Sequence, residues 1–431
     1  MKKTARQRVW IFLLLLVFAV TPFAMEAQEF RFLTFVDYYG GIEPAEGYEN
    51  LRTRIFMQPT FSGYSDTFGF EWLLSSRLWV QPLGDPYALE ASDILYESYI
   101  FFPFESFELT IGQKIVDYGF ADVYGPLNIA HSSKQALLSL DEAYDNAQPD
   151  PLVQLRFYPG FDDILEVCYV PVSRRDAEQA DPVFLPGSKD TIIWDDGSFI
   201  LDTPHSVFFN YTHYGHNTDF QLLYAWYVEQ TPDFQIEETL STDESEITTV
   251  YNRAQSFGAA YSSRLGASTF SQDLAFKLTG DFQGTDIGAQ NSSITVNTQL
   301  LTNLPGQVLG QFSLVYSYFF NHNDYDKEAD PTTADYLASQ INTFHAQPYE
   351  HIAFMVGHFE RAFLRERLKT QLNVGYFFSP ELYFAPRLTY SITDFWTLEG
   401  GADITLGDPP DDDLRRNPTN DNFYVRLLYR Y

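Results

Sequence analysis

The last ten residues, Asn422 to Tyr431 (NFYVRLLYRY), alternate along their whole length. Phe423, Val425, Leu427, Tyr429 and Tyr431 fall on one face of an extended strand. Tyr424, Arg426, Leu428 and Arg430 fall on the other. Side chains of a strand point alternately to opposite sides, so this segment needs an apolar medium on one side and a wet one on the other. A half-buried strand of a soluble sheet meets that need. So does a strand standing between lipid and a water-filled interior.

The same pattern recurs. Leu274, Phe276, Leu278 and Phe282 interleave with Asp273, Lys277, Thr279, Asp281 and Gln283. Val308, Phe312, Leu314, Tyr316 and Tyr318 interleave with Gln307, Gln311, Ser313 and Ser317. Leu368, Leu372, Val374 and Tyr376 alternate with Lys369, Gln371 and Asn373, and Trp396, Leu398, Ala402, Ile404 and Leu406 with Thr397, Glu399, Asp403 and Thr405. Each run has about the ~9–11 residues that a tilted strand needs to cross a bilayer. Strands are expected to begin near Phe30, Leu51, Phe68, Ile94, Phe107, Val153, Ile164, Val207, Gln221, Ala254, Leu274, Ser293, Gln307, Ile352, Leu368, Leu382, Trp396 and Phe423. Two or three of these are weak, which sets the count at 16–18 with 18 the best fit.

Loop lengths sort by parity. Short connections include Gly63–Thr67, Phe104–Ser106, Pro159–Asp162, Gly215–Thr218, Gly266–Ser268, Asn303–Gly306 and Thr393–Phe395. Long ones include Asp117–Pro151, Ser173–His205, Thr231–Thr249, Asn321–Glu350 and Gly407–Asn420, and the short connection near Ser379–Pro380 is an exception. A soluble sandwich has no reason to sort its loops this way, whereas outer-membrane barrels have short periplasmic turns and long external loops. The expected fold is all-β: one transmembrane antiparallel β-barrel spanning residues 28–431, with long external loops.

The N-terminus agrees. Lys2, Lys3, Arg6 and Arg8 precede the short apolar run Val9 to Val20, and small residues follow at Ala24 and Ala27. This is the pattern of a secretory signal peptide over residues 1–27, cleaved after Ala24 or Ala27. No Cys stands there for a lipid anchor, and no later run approaches the ~18 apolar residues of a spanning helix. Phe and Tyr are abundant, at 39 and 29 residues, as aromatic girdles at both membrane interfaces require. The mean hydropathy of −0.22 fits a chain in which only alternate residues touch lipid. A net charge of −31 argues against nucleic-acid binding, which needs a basic face. The single cysteine, Cys168, excludes an internal disulfide and reads as a packing residue on a strand.

Between Phe107 and Pro126 the chain reads FELTIGQKIVDYGFADVYGP, followed by Leu127-Asn128. With Gly112, Gln113, Lys114, Tyr118, Gly119, Pro126 and Asn128, this resembles a motif of a large, poorly characterised family of porin-like outer-membrane barrels. Their strand ends in Gly-basic-Gln, followed by Trp-Gly and an Asn-Pro-type turn. Gln113-Lys114 inverts the usual order, Tyr118 stands for Trp, and the Asn follows the Pro. Leu152–Pro171 and the pair Asp273–Gly284 and Ile294–Gln299 look similar to later parts of that family. The resemblance implies a single barrel in the outer membrane of a diderm bacterium, and it supplies no substrate.

Parity nominates the lumen. Basic positions are Arg31, Arg52, Arg54, Arg77, Lys114, Lys277, Lys369, Arg387, Arg426 and Arg430. Six of them, Arg31, Arg52, Arg54, Arg387, Arg426 and Arg430, come from strands that meet where the barrel closes, and so would form one basic wall. The connection 117–151 carries Asp117, Asp122, Asp141, Glu142 and Asp145 and is expected to fold inward as a constriction facing that wall. The bland reading is that the arginines pair with lumen carboxylates such as Glu71, Glu399 and Asp403.

The leading function is a channel for passive diffusion of small hydrophilic solutes. One alternative is a channel for hydrophobic or lipid-like molecules, suggested by inward apolar positions Leu33, Phe35, Phe56, Leu309, Phe319 and Phe377. Another is a closed barrel whose acidic loops bind a surface partner. The expected partners are outer-membrane lipid, small solutes and the barrel-assembly machinery, which would read Tyr431 as its signal. No enzyme is expected, and no cofactor or metal. His213 and His216 lack a third ligand, the Asn321–Asp330 stretch lacks the Gly and terminal Glu of a calcium loop, and His358 has no Ser motif to work with.

Overall fold

The computed structural model describes residues 27–41, 52–65, 69–83, 95–121, 125–130, 132–133, 147–173, 191–193, 205–238, 245–322, 341–342, 345, 347–377, 381–406 and 422–431. The expected signal peptide lies outside these residues except for its last residue, Ala27, which opens the first strand. The barrel strands are β1 (Ala27–Gly41), β2 (Arg52–Ser65), β3 (Phe70–Ser76 and Leu78–Leu83), β4 (Leu95–Pro103), β5 (Phe107–Lys114) and β6 (Asp150–Phe157). They continue with β7 (Asp163–Val170), β8 (Ser206–Tyr214), β9 (Thr218–Val228), β10 (Arg253–Leu265), β11 (Ser268–Leu278) and β12 (Ser293–Leu304). The last six are β13 (Val308–Phe319), β14 (His351–Phe363), β15 (Leu368–Phe377), β16 (Glu381–Ser391), β17 (Trp396–Leu406) and β18 (Asn422–Arg430).

Each strand pairs antiparallel with its sequence neighbours, and β18 pairs back onto β1 from Leu33↔Arg430 to Gly41↔Asn422. The described strands therefore make one closed 18-stranded barrel. Closure leaves no unpaired edge, which is what lets a sheet survive in hydrocarbon. β3 is interrupted at Arg77, and just before it, between Leu74 and Ser76, the register of its pairing with β4 shifts.

Alternation along the strands translates directly into two faces. On β18, Phe423, Val425 and Leu427 are exposed on the outside, while Tyr424, Arg426 and Leu428 are buried within. Leu222, Phe257, Leu300, Leu314, Met355 and Leu398 continue the exposed apolar surface around the ring. Phe282 does not: β11 ends at Leu278, so Phe282 lies in the following loop and not on the lipid face. The strand pattern there starts at Ser268, six residues earlier than its apolar run suggests, because Phe270 and Gln272 carry the outward face with one polar member.

The short connection 378–380, at one end of the barrel, lies outside the described residues; Ala27, Tyr431 and the described short turns lie at the other end. One such turn, Leu364–Arg367, escaped the sequence reading; Leu364, Arg365 and Glu366 are all left-handed, with φ of 52, 58 and 69. At this end Tyr431 exchanges backbone hydrogen bonds with Phe32, both 2.9 Å. Its ring stands among Phe30 and Phe395, at 6.3 and 6.2 Å, in an outward aromatic cluster.

The long connections occupy the opposite end, and four of them are tied together. The strand Asp233–Glu238 pairs with Ser245–Val250, which also takes Thr191–Ile193 in parallel. The Asp233 carboxylate accepts hydrogen bonds from Asn252 Nδ2 (2.7 Å) and from the Gln290 N–H (2.9 Å). His345 Nε2 lies 2.9 Å from the Pro232 carbonyl and 3.7 Å from Asp233 Oδ1. Gln347 accepts from the Asn291 N–H and bonds the side chains of Asn291 and Asn342. Burial raises the Asp233 carboxyl to about 6 and lowers the His345 imidazole to about 4.

Candidate functional site: the lumen and its docked segment

The inward positions of β5 to β11 are polar and small, interrupted by one apolar cluster. Gly112 redirects the chain at the end of β5. Its φ is 143, and a Cβ there would lie 2.3 Å from the Ser98 carbonyl oxygen. Beyond it, Gln113 is buried, and Lys114 Nζ reaches Gln154 Oε1 at 3.3 Å. The chain then leaves the wall, and residues 115–121 and 125–130 lie inside the lumen.

Three inward side chains, Glu166, Gln221 and Asp273, hold this segment. The Tyr118 hydroxyl donates to Glu166 Oε1 (2.7 Å), whose other oxygen takes Arg156 Nε (2.7 Å). The Gly119 N–H donates to Gln221 Oε1 at 2.6 Å. The Asp273 carboxylate, 0 % exposed, accepts from the N–H groups of Phe120 and Ala121 at 3.0 and 3.2 Å. Gly119 has φ 97, and a Cβ would fall 2.2 Å from Asp273 Oδ2. Only glycine lets the backbone come this close. Leu127 drops into the space left by the missing side chain of Gly258, where a Cβ would meet it at 2.3 Å. Val116, Tyr118, Leu127 and Ala130 thereby bury against Leu152, Cys168, Val170, Phe208 and Leu223. The apolar inward residues on this side are the seat of the segment.

The segment rests on β7 to β11. Half the ring away, nine strands from β9, stands β18 with Tyr424 and Arg426. Here cations and aromatic rings alternate across the seam. The Arg77 guanidinium lies 3.2 Å from the Tyr96 ring centroid and 6.0 Å from that of Phe56. Phe56 stacks on Phe35 at 4.6 Å, and Arg426 stands 4.4 Å from Phe35 and 5.4 Å from Tyr424. Arg387 follows at 6.0 Å from Tyr424. Arg426 is 0 % exposed and lies 3.7 Å from Glu399, which also accepts from the Tyr424 hydroxyl.

The six nominated arginines thus stand at different levels. Arg387 and Arg426 share the stack. Arg31 sits at the mouth by the short turns, paired with Glu29 at 2.9 Å, and Arg430 lies beside it on β18, opposite Leu33. At that mouth a cavity of about 370 Å³ opens between Glu29, Ser62, Glu71, Leu73 and Tyr99. The backbones of Arg52 and Arg54 lie on β2, but their side chains are outside the described residues. Other inward cations have carboxylate partners: Lys277 with Glu229 at 2.9 Å and Lys369 with Glu360 at 2.8 Å. Of the loop acids, Asp117 is described and exposed; Asp122, Asp141, Glu142 and Asp145 lie outside the described residues. Sequence reading put Asp273 inward by parity but missed its role, and missed Glu166 and Gln221. His213, the candidate ligand, points outward and bonds Asp163 at 2.9 Å.

No protein-family model matches the chain, and no curated protein matches its sequence. Solved structures do match. OccK9 (OpdG) of Pseudomonas aeruginosa is 9% identical, with 94% of this chain and 98% of that one covered and a TM-score of 0.52. The outer-membrane protein OpdK of the same organism is 10% identical over 94% and 99%, at 0.53. OccAB1 of Acinetobacter baumannii is 9% identical over 94% and 96%, at 0.53. At such identities the likeness is one of fold: the chain folds as the porin-like outer-membrane barrels of Gram-negative bacteria do.

Proposed function

We propose that the chain is an outer-membrane channel through which small hydrophilic solutes diffuse passively. The observation that carries this reading is the docked segment. A closed barrel with a polar lining, narrowed by a segment held on one wall, sorts solutes by size and charge. The similar barrel OpdK has a structure with vanillate, and small organic solutes are the class we assign here. Asp117, together with Asp122, Asp141, Glu142 and Asp145, supplies the acidic side of the constriction. Arg387 and Arg426, with Arg52 and Arg54, supply the basic side, and Arg31 and Arg430 the mouth. Residues 1–27 serve export, Tyr431 serves assembly, and the barrel carries no catalytic site.

Apolar inward residues do not call for a hydrophobic channel, since the large cluster seats the segment and Phe35, Phe56 and Leu428 pack around Arg426. The test is a planar-bilayer recording of the refolded protein. Ser132 faces Gln148 in a two-residue pairing, so the span between them can be excised without stretching its ends. Conductance steps are expected, and they should grow when that span is removed. A silent barrel would favour the hydrophobic channel or the closed, partner-binding barrel.

A further inference from the structure

On the outside of the barrel, where β7 to β10 run up to the long connections, charge is scarce. Arg253 is the one outward cation of these four strands at that end among the described residues. It opens β10, in phase with the exposed Gln255, Phe257 and Tyr261 and out of phase with the buried Ala254 and Ser256. Its guanidinium carbon lies 3.9 Å from the Trp226 ring centroid, and Nη1 donates to the His205 carbonyl at 2.8 Å.

His205 is itself unusual. Its φ is 83, a conformation that residues other than glycine rarely adopt. This backbone turns its carbonyl to Arg253 while its ring stacks on the outward Tyr169, 5.8 Å between centroids. The Tyr169 hydroxyl bonds the ring at Nδ1. That bond engages Nδ1, and Nε2 is the other polar atom of the ring, on an exposed residue. The patch therefore offers a guanidinium laid on an indole, with an imidazole and a tyrosine beside it, at the ends of the strands where the long connections begin. Tyr and Trp favour the membrane–water interface, and arginine matches the oxygens of a phosphate. A chain of net charge −31 repels anions at long range, so an anion is retained only where such donors converge.

We propose that Arg253, His205, Trp226 and Tyr169 form a binding site for the phosphate-bearing headgroup of a membrane lipid in the outer leaflet. The site rests on the outer-membrane reading above, which sets the long connections on the outer side. The test uses full-length barrel folded in micelles and offered lipid A or dephosphorylated lipid A, with retained lipid read by native mass spectrometry. Wild type should retain lipid A over the dephosphorylated form, and Arg253→Gln should reduce retention about tenfold, as loss of one charge-assisted contact implies. Arg361→Gln is the control, because Arg361 is also outward beside an aromatic ring, 4.6 Å from Phe363, but at the opposite end. It should leave retention unchanged. Equal retention of the two lipids, equal retention by wild type and Arg253→Gln, or an equal loss with Arg361→Gln would overturn the site. Co-flotation with vesicles is scored separately. A chain that never enters bilayers overturns the membrane reading and the site with it, while one that inserts without Arg253 dependence overturns the site alone.

Discussion

Replacing Gly119 by Ala should undock the lumenal segment and widen the pore. The new Cβ falls 2.2 Å from Asp273 Oδ2 and demands a left-handed φ of 97. Holding a non-glycine residue there costs of order 1–3 kcal/mol. The carboxylate cannot step aside without leaving the N–H groups of Phe120 and Ala121, at 3.0 and 3.2 Å. Losing hydrogen bonds to a buried charge costs about 1.5–3 kcal/mol more. Together these oppose docking by roughly 2.5–6 kcal/mol, at least about fiftyfold in the docked-to-undocked ratio. Against them stand the Tyr118–Glu166 bond, the Gly119–Gln221 bond and the burial of Leu127, the last alone worth about 1.5–3 kcal/mol, so the substitution shifts the segment toward the undocked form without removing every hold on it. The assay is single-channel conductance of Gly119→Ala beside wild type, with heat-modifiable migration as the check on the barrel. Barrel stability should hold, because every strand stays paired. Unchanged conductance in a correctly folded variant would refute the claim that this contact sets the aperture.

Removing Tyr431 should reduce outer-membrane assembly more than synthesis, since its backbone pair with Phe32 and its contacts to Phe30 and Phe395 close the ring; equal membrane yields would contradict this. Arg426→Leu strips the cation from half-buried Glu399, which keeps the Tyr424 hydroxyl, and should destabilise the barrel by up to about 3 kcal/mol, read as a lower temperature of heat-modifiable unfolding. If the pore conducts, Arg387→Gln should shift its selectivity toward cations, measured as a reversal potential in a salt gradient; no shift would leave Arg387 a purely structural member of the stack. The external clasp should be nearly indifferent to pH between about 4 and 6, because the closed form carries its proton on Asp233 and the opened form on His345. Single variants unmask each half. His345→Gln leaves the raised Asp233, whose support is lost as pH rises through about 6; Asp233→Asn leaves the lowered His345, whose support is lost as pH falls through about 4. Hydrogen exchange of residues 229–252, corrected for intrinsic rates, would read this, and identical pH profiles in all three proteins would sink it.

The strands were legible because their signal is local. Alternation on β18 assigned Arg426 inward and Val425 outward from the residues themselves, and loop parity separated the two ends. Strand breaks were less legible: parity put Arg77 inward, but nothing in the local pattern marks the interruption of β3 there or its packing on Tyr96. The inserted segment was suggested by length and acidity, but not its seat. Gln221 and Asp273 lie 102 and 153 residues from the N–H groups they accept, and single-sequence periodicity carries no information at that range. The basic residues could be assigned a face but not a height, so Arg31 and Arg426 read alike although one meets Glu29 at the mouth and the other is wholly buried.

The distance along the chain between the docked segment and its receptors also orders assembly. The N–H groups of Gly119, Phe120 and Ala121 have no Gln221 or Asp273 in place to meet until β9 and β11 are paired into the sheet. Non-local contacts of this kind form after the loop-closure entropy has been met by other pairings. The narrowing is then a late event in a ring that is already zipped. A nascent barrel passes through a leaky stage, and mutations at Gly119 or Asp273 would prolong that leak without slowing strand pairing itself.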